Sequence, residues 1–296
     1  MSSTMKKIFL CIIGILAGIA AWPFSEVALL FQSYFPTFLI FSIFVGGIFG
    51  FFMGAFFSSS EGIFLAQKSK IAKGMLTGAV VGIFGGIIGF LIGQAVLFIL
   101  GEYLLHSSKD FNKIGLPLSR SIAWATLGIF IGITEGIRAG SLKKISIGFL
   151  GGLLGGAIGG LISEILKPYV GNIVIARLVG LAIFGFFIGL FYGFVEKKLS
   201  YGILRLLNGK YKGKEFLINQ KKLKIGNSST NEIALPDYEN IGEYHAELYM
   251  KQDDIYIKNS DNKNPVRVND EKINEYRLKF NDVVKIGNAK FLYKYC

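Results

Sequence analysis

Few side chains in this 296-residue sequence have the types and spacing for chemistry. There are two His and two Cys, and one Cys is the last residue. That leaves too little for a zinc or disulfide framework. No Ser/His, Asp/Asp or Glu/His constellation stands out, and neither does a Walker, Rossmann or kinase pattern. We therefore expect no enzyme, no metal and no cofactor. The remaining candidates are acids in apolar surroundings: Glu26, Glu61, Glu135 and Glu164, the last with Lys167 one helical turn on. Ionisable groups at membrane depth suggest ion or substrate sites. Each of these lies near the end of an apolar stretch, where snorkelling and ion pairing account for it equally well. No stretch carries a charge at its centre, which argues against an ion-coupled transporter.

The elements that must position these residues come from two unlike parts. Residues 1–196 hold 32 of the 38 Gly, 24 of the 27 Phe and only 2 Asn, whereas 197–296 hold 12 Asn. Overall 52% of the chain is hydrophobic, 18% is charged, and the mean hydropathy is +0.50. A fully soluble enzyme and a disordered chain are both excluded. The composition divides it into a membrane domain, 1–199, and a soluble domain, 200–296. Six stretches approach the roughly 20 apolar residues a spanning helix needs: 8–31, 37–57, 74–100, 121–137, 147–166 and 177–195. Pro23 and Glu26 interrupt the first. Its start, Lys6-Lys7 before IFLCIIGILAGIAA, also fits a signal peptide. The apolar run resumes after Pro23, which favours an uncleaved helix.

Basic residues set the orientation. With the N-terminus inside, the inside segments carry ten of fifteen Lys and Arg, counted through Lys198. Both termini are then cytoplasmic, in a protein integral to a bacterial cell membrane. The net charge of +12 is largely explained by topology and lipid headgroups, not by nucleic acid.

The membrane part repeats at an offset of 74: Glu61/Glu135, Gly62/Gly136, Lys70/Lys144, Gly74/Gly148, Gly78/Gly152, Gly82/Gly156, Gly85/Gly159 and Gly86/Gly160. A third, partial copy aligns Gly128, Gly132 and Gly136 with Gly185, Gly189 and Gly193. Its return helix is missing, and the soluble domain stands in its place. Gly74, Gly78, Gly82 and Gly86, and likewise Gly148, Gly152, Gly156 and Gly160, form one stripe per helix, a glycine-zipper pattern. In lipid, close backbone contact over small residues supplies packing energy. Packing within the bundle is the first reading of the stripes. A pore lining or a homo-oligomer seam is the other.

The tail reads as short strands between Asn-, Asp- and Lys-rich turns, the pattern of a β-sandwich. The candidates are ILRLL, EFLI, KLKIG, EIAL, HAELYM, DIYIK, VRV, RLK, VVKIG and KFLYKY. Gly226-Asn227 and Gly287-Asn288 read as turns. The Asn227-Ser228-Ser229 sequon falls on the cytoplasmic side and is discounted.

The order of motifs is more specific than the strand count. Gly213-Lys-Glu-Phe-Leu-Ile, Leu223-Lys-Ile-Gly226, Asn231-Glu-Ile-Ala-Leu235, His245-Ala246-Glu-Leu, Val268-Asn269 and Leu278 to Gly287 resemble the forkhead-associated (FHA) domain. The likeness covers nearly all of 200–296. It implies an 11-stranded sandwich without catalytic activity, whose loops at one end bind phosphothreonine peptides. At those loops the sequence departs from the family. The family's Arg after Ile-Gly is Asn227, followed by Ser228; its Ser is Gly242, and the basic residue after it is Glu243. Asn-Gly becomes Asn264-Pro265, while His245, a scaffold residue that braces the loop, is kept. Losing a guanidinium and a hydroxyl while gaining a carboxylate should abolish most phosphate affinity. Lys221, Lys222 or Ser228–Thr230 are the groups that could compensate. The resemblance implies a membrane-anchored scaffold or signalling protein that recruits a cytoplasmic protein partner. The competing expectation is a channel or transporter with a regulatory FHA-like tail.

Overall fold

The high apolar content of residues 1–199 is spent on six helices, seen in a computed structural model that describes residues 3–65, 67–104, 114–252, 254–261 and 263–295. They are α1 (Ser3–Leu30), α2 (Phe38–Leu65), α3 (Lys68–Leu104), α4 (Leu116–Ala139), α5 (Leu142–Leu166) and α6 (Ile173–Leu199). The shortest has 24 residues, about 36 Å at 1.5 Å per residue, so each can cross a hydrocarbon core of about 30 Å. The part is a polytopic helical membrane bundle. Two compact units divide the chain: Lys7–Glu196, and Lys197–Cys296 together with Met1–Lys6.

Helix α1 runs through Pro23 without a break. The sequence reading interrupts it there. A proline is tolerated in a membrane helix because neighbouring groups can satisfy the carbonyl it leaves. The carbonyl that Pro23 leaves is that of Ile19, four residues earlier; the Ser25 hydroxyl donates to a different one, the Trp22 carbonyl, at 2.7 Å. At the other extreme, α4 ends on Gly140 in the left-handed conformation (φ +58°), a position glycine occupies without strain.

The glycines pair helices as antiparallel hairpins. On α2 and α3, Gly46 faces Gly86, Gly50 faces Gly82, Gly54 faces Gly78 and Ser58 faces Gly74. In the α4–α5 hairpin, Gly128 faces Gly152, Gly132 faces Gly148 and Trp124 covers Gly156 and Gly160. A Cβ on most of these glycines would run into the opposite carbonyl, so the backbones are in direct contact. Helix α5 has a second small face. Gly151, Gly155 and Gly159 lie against Tyr192, Ile188 and Phe184 of α6, which is why its glycines come in adjacent pairs.

The third repeat is complete, contrary to the sequence reading. Gly14 faces Gly185, Gly18 faces Leu181, and Gly189 faces Leu10. Helix α1, first in the chain, therefore stands against α6 as α3 does against α2 and α5 against α4. The return helix is supplied from the other end of the sequence. The spacing Leu10-Gly14-Gly18 matches Gly148-Gly152-Gly156, the signal that could have revealed it.

The tail builds its core from alternating aliphatic residues. Eleven strands are described: β1 (Gly202–Leu206), β2 (Glu215–Ile218), β3 (Lys222–Gly226), β4 (Ile233–Ala234), β5 (Ala246–Lys251), β6 (Asp254–Asn259), β7 (Val266–Val268), β8 (Glu271–Ile273), β9 (Glu275–Arg277), β10 (Val283–Ile286) and β11 (Ala289–Lys294). One sheet has the order β2-β1-β11-β10-β7-β8, the other β4-β3-β5-β6-β9. All pairs are antiparallel except β3 with β4. Leu204, Ile225, Leu248, Ile257, Val284 and Phe291 fill the space between the sheets. Strand β8 is absent from the sequence reading. Its signal is the two-residue turn Asn269-Asp270, both at positive φ (51° and 68°), which pairs Val268 with Glu271 as a tight hairpin requires. Strand β9 lies two residues earlier than RLK.

Candidate functional site

Three loops meet at one end of the β4-β3-β5-β6-β9 sheet. They are 227–232 after β3, 235–245 before β5, and 260–261 with 263–265 after β6. Backbone bonds fasten them. The Asn227 N–H donates to the Gly242 carbonyl (2.9 Å), His245 N–H to Ile225 (2.9 Å), and Ser260 N–H to His245 (2.9 Å). Gly226 is not in a turn, as the sequence suggests. It is the buried last residue of β3, where a Cβ would collide with the Glu243 carbonyl.

The fold brings together Gly226, Asn227, Ser228, Gly242, Glu243, His245 and Asn264. Asn227 and Glu243 are exposed. Hydroxyls of Ser228 and Thr230 lie 2.8 Å apart, and Thr230 Oγ1 is 3.2 Å from the Tyr244 phenol. The Glu243 carbonyl accepts from Asn231 Nδ2 at 2.6 Å. His245 is fully buried. Its Nδ1 accepts the Gly242 N–H at 3.3 Å, so the neutral ring carries its proton on Nε2. Burial pushes the imidazole pKa below its ordinary value, against the opposing pull of Asp261.

Asp261 is the member that sequence reasoning missed. Its Oδ1 accepts the Lys263 N–H at 2.9 Å and its Oδ2 accepts Asn264 Nδ2 at 3.2 Å. Oδ2 also lies 3.9 Å from His245 Nδ1. The Lys263 amide foremost, with Asn264 and His245, holds the carboxyl below its usual range. A Cβ built on Gly242 would stand 2.5 Å from Asp261 Oδ2. The glycine and the carboxylate therefore fit one another, and a serine at 242 would require the Asp261 carboxylate to move off its hydrogen bonds to Lys263 and Asn264. The Asn- and Asp-rich run around 259–264 signals a turn but not this role.

Lys222 begins β3, four residues from Gly226 at the loop end. That is about 13 Å along a strand, and its ammonium pairs with Glu247 at 3.2 Å. Neither it nor Lys221 stands where an arginine after Gly226 would. The Lys224 ammonium lies over the Tyr244 ring, 5.4 Å from its centroid, and is the nearer cation.

Residues 205–295 match the family model of the Yop-YscD cytoplasmic domain, described as the inner membrane component of T3SS, cytoplasmic domain. With eleven strands in two sheets already in hand, that match decides the fold of this part. The tail is an FHA-like domain. Similar solved structures include the FHA domain of CT664 from Chlamydia trachomatis, 27% identical, covering 32% of this chain and 97% of that one (TM-score 0.30). Another is the Slr1951 protein from Synechocystis, 23% identical, covering 32% and 95% (TM-score 0.29). A third comes from work on phosphothreonine-dependent FHA domain interactions, 20% identical, covering 32% and 96% (TM-score 0.30). No curated protein matches the chain. The family match to the FHA-like domain leaves the membrane bundle outside it.

Proposed function

We propose that this chain is a membrane-anchored, non-enzymatic interaction protein whose FHA-like domain recruits a protein partner at the cytoplasmic face without reading phosphothreonine. The observation that carries this reading is Asp261. Its carboxylate is set against Gly242 by two hydrogen bonds, where a phosphopeptide loop needs a hydroxyl. A phosphate carries about −1.5 to −2 charges, and here it would meet Asp261 and Glu243 without the expected arginine. The domain boundary falls near residue 200. The excess of basic residues on the inner segments supports cytoplasmic termini. The description of the matched family, an inner membrane component with a cytoplasmic domain, supports a role in assembling membrane machinery. The glycine faces serve the bundle, and a homo-oligomer would have to use other surfaces.

The test pairs calorimetry of isolated 200–296 against a phosphothreonine peptide library with proximity labelling from the tail in cells. No phosphate-dependent heat, and a labelled partner whose capture survives phosphatase treatment, are expected. Micromolar binding that disappears with the phosphate would overturn the reading.

A further inference from the structure

Within the bundle, the ends of all six helices that include Arg120 enclose a cavity of about 440 Å3. That volume lies in the range of about 300–1,000 Å3 of small-molecule sites. One side is apolar. Phe49, Phe90 and Trp124 form a mutually packed cluster, with ring centroids 5.4–5.7 Å apart, and Leu97 and Val45 continue the wall. The other side is ionic. Arg120 Nη1 contacts Glu164 Oε2 at 2.6 Å, and Lys167 pairs with the same carboxylate. Arg177 forks onto Glu26 at 2.5 and 2.6 Å. Among the described residues, three cations thus face two carboxylates, an excess of one positive charge. Arg120 keeps half of its side chain exposed while Glu164 is buried, so the surplus lies at the accessible part of the cluster.

The repeat explains how the cavity arose. Arg177–Glu26 in the α6–α1 pair is the counterpart of Arg120–Glu164 in α4–α5. In α2–α3 the corresponding residues are Gly46 and Phe90, which touch each other. The ion pair is replaced by an aromatic ring and a missing side chain in one of the three helix pairs. That substitution puts an apolar wall opposite two arginines. Packing alone does not call for this asymmetry, since the same helix pair with an ion pair is built twice in the same bundle.

We propose that this cavity binds an amphiphile with an acyl chain and an anionic oxyanion head group. The chain would lie on Phe90 and Trp124, and the head group would meet Arg120 and Lys167. A fatty-acid carboxylate and a phospholipid phosphate share this chemistry.

The chain has two Trp, so Trp22→Phe in the full-length protein leaves Trp124 as the reporter in the cavity wall. In detergent micelles it is titrated with dibromostearate, dibromostearyl alcohol and a phosphatidylglycerol with one brominated chain. Saturable quenching by dibromostearate, at least about tenfold tighter than by the alcohol, is expected. Comparable saturation by the phosphatidylglycerol assigns the site to a phospholipid, and its absence assigns it to a free fatty acid. Arg120→Gln should weaken the anionic probes about tenfold, since a charged hydrogen bond is lost, and leave the alcohol unchanged. Gln94→Phe, which fills the cavity, should abolish saturation. Quenching that is linear, equal for acid and alcohol, and unmoved by Arg120→Gln would overturn the proposal, and that variant retains Lys167 on Glu164 should Gln94→Phe fail to fold.

Discussion

The membrane bundle holds its helices together by leaving side chains out, and the FHA-like domain holds its sheets together by putting them in. Gly50 and Gly82 bring two backbones into contact, whereas Leu248, Ile257 and Phe291 keep two sheets apart and fill the gap. The solvent makes the difference. Water rewards burial of apolar area at about 25 cal/mol per Å2, so the tail gains from large residues. Lipid gives no such reward between helices, and close packing is what remains. Charge follows the same division. In the bundle Arg138 bridges Glu61 and Glu135 at 2.7 and 2.6 Å, and Lys144 reaches Glu61 at 3.2 Å. In the tail, ion pairs such as Arg277–Asp254 sit on the surface, where they contribute little.

The largest effect should come from breaking the backbone contact. Gly50→Leu would drive a side chain into the Gly82 carbonyl and should cost the bundle about 3 kcal/mol, the upper end of typical overpacking costs. Gly47 is its control. A Cβ there meets only Ile83 Cγ2 at 3.9 Å, so Gly47→Ala should stay within about 1 kcal/mol of the parent. Thermal unfolding of the detergent-solubilised chain, followed by helix content, measures both. Equal effects at 47 and 50 would mean the stripe faces lipid.

Much of this architecture is legible in the sequence, for physical reasons. Hydropathy and length mark six spans because lipid tolerates little else. Period-two alternation at Ile255/Ile257 and Val266/Val268 marks strands because one face is buried. The order from Leu223 to Gly287 marks the FHA-like fold. What stayed hidden depends on contacts between distant residues. Helix α1 completes the third repeat from the far end of the chain, and an ordered comparison of successive segments passes over it. Asp261 matters because it faces Gly242 across two loops, a relation no local spacing records. The arginines of the cavity are readable as charges near helix ends, but their shared position needs the fold.

An intermediate effect is expected at the loop positions where the tail departs from the family's phosphothreonine-binding residues. Asn227→Arg, Gly242→Ser and Glu243→Arg restore the family's groups, yet the new serine would press on Asp261. The triple variant should therefore remain without measurable affinity. Adding Asp261→Ala removes both the collision and the carboxylate. The quadruple variant should bind a phosphothreonine peptide at least about tenfold tighter than the triple, given about 1.5–3 kcal/mol per charged hydrogen bond. Calorimetry on isolated 200–296 makes the comparison, and a triple variant that binds as well as the quadruple would show that Asp261 yields readily.

The smallest effect is one the bundle should not share. His245 is buried as the neutral ring, and burial lowers its pKa from the ordinary 6.5. In the unfolded tail the imidazole takes up its proton near that ordinary value. Between the two values the unfolded state binds more protons, so stability rises with pH across that window. The His245 contribution is thus fully present above about pH 6.5 and is lost as pH falls through the folded value. Asp261 acts in the same sense at lower pH. Its carboxyl is held below the ordinary 3.8, foremost by the Lys263 amide, and its contribution is present above that pH and lost as pH falls through the folded value. Urea unfolding of isolated 200–296 from pH 8 to pH 3 should show a falling midpoint in two stages. His245→Gln, which cannot take up a proton, should flatten the upper stage and leave the lower one. A midpoint that falls below pH 6.5 equally in the wild type and in His245→Gln would place the acid sensitivity on another group.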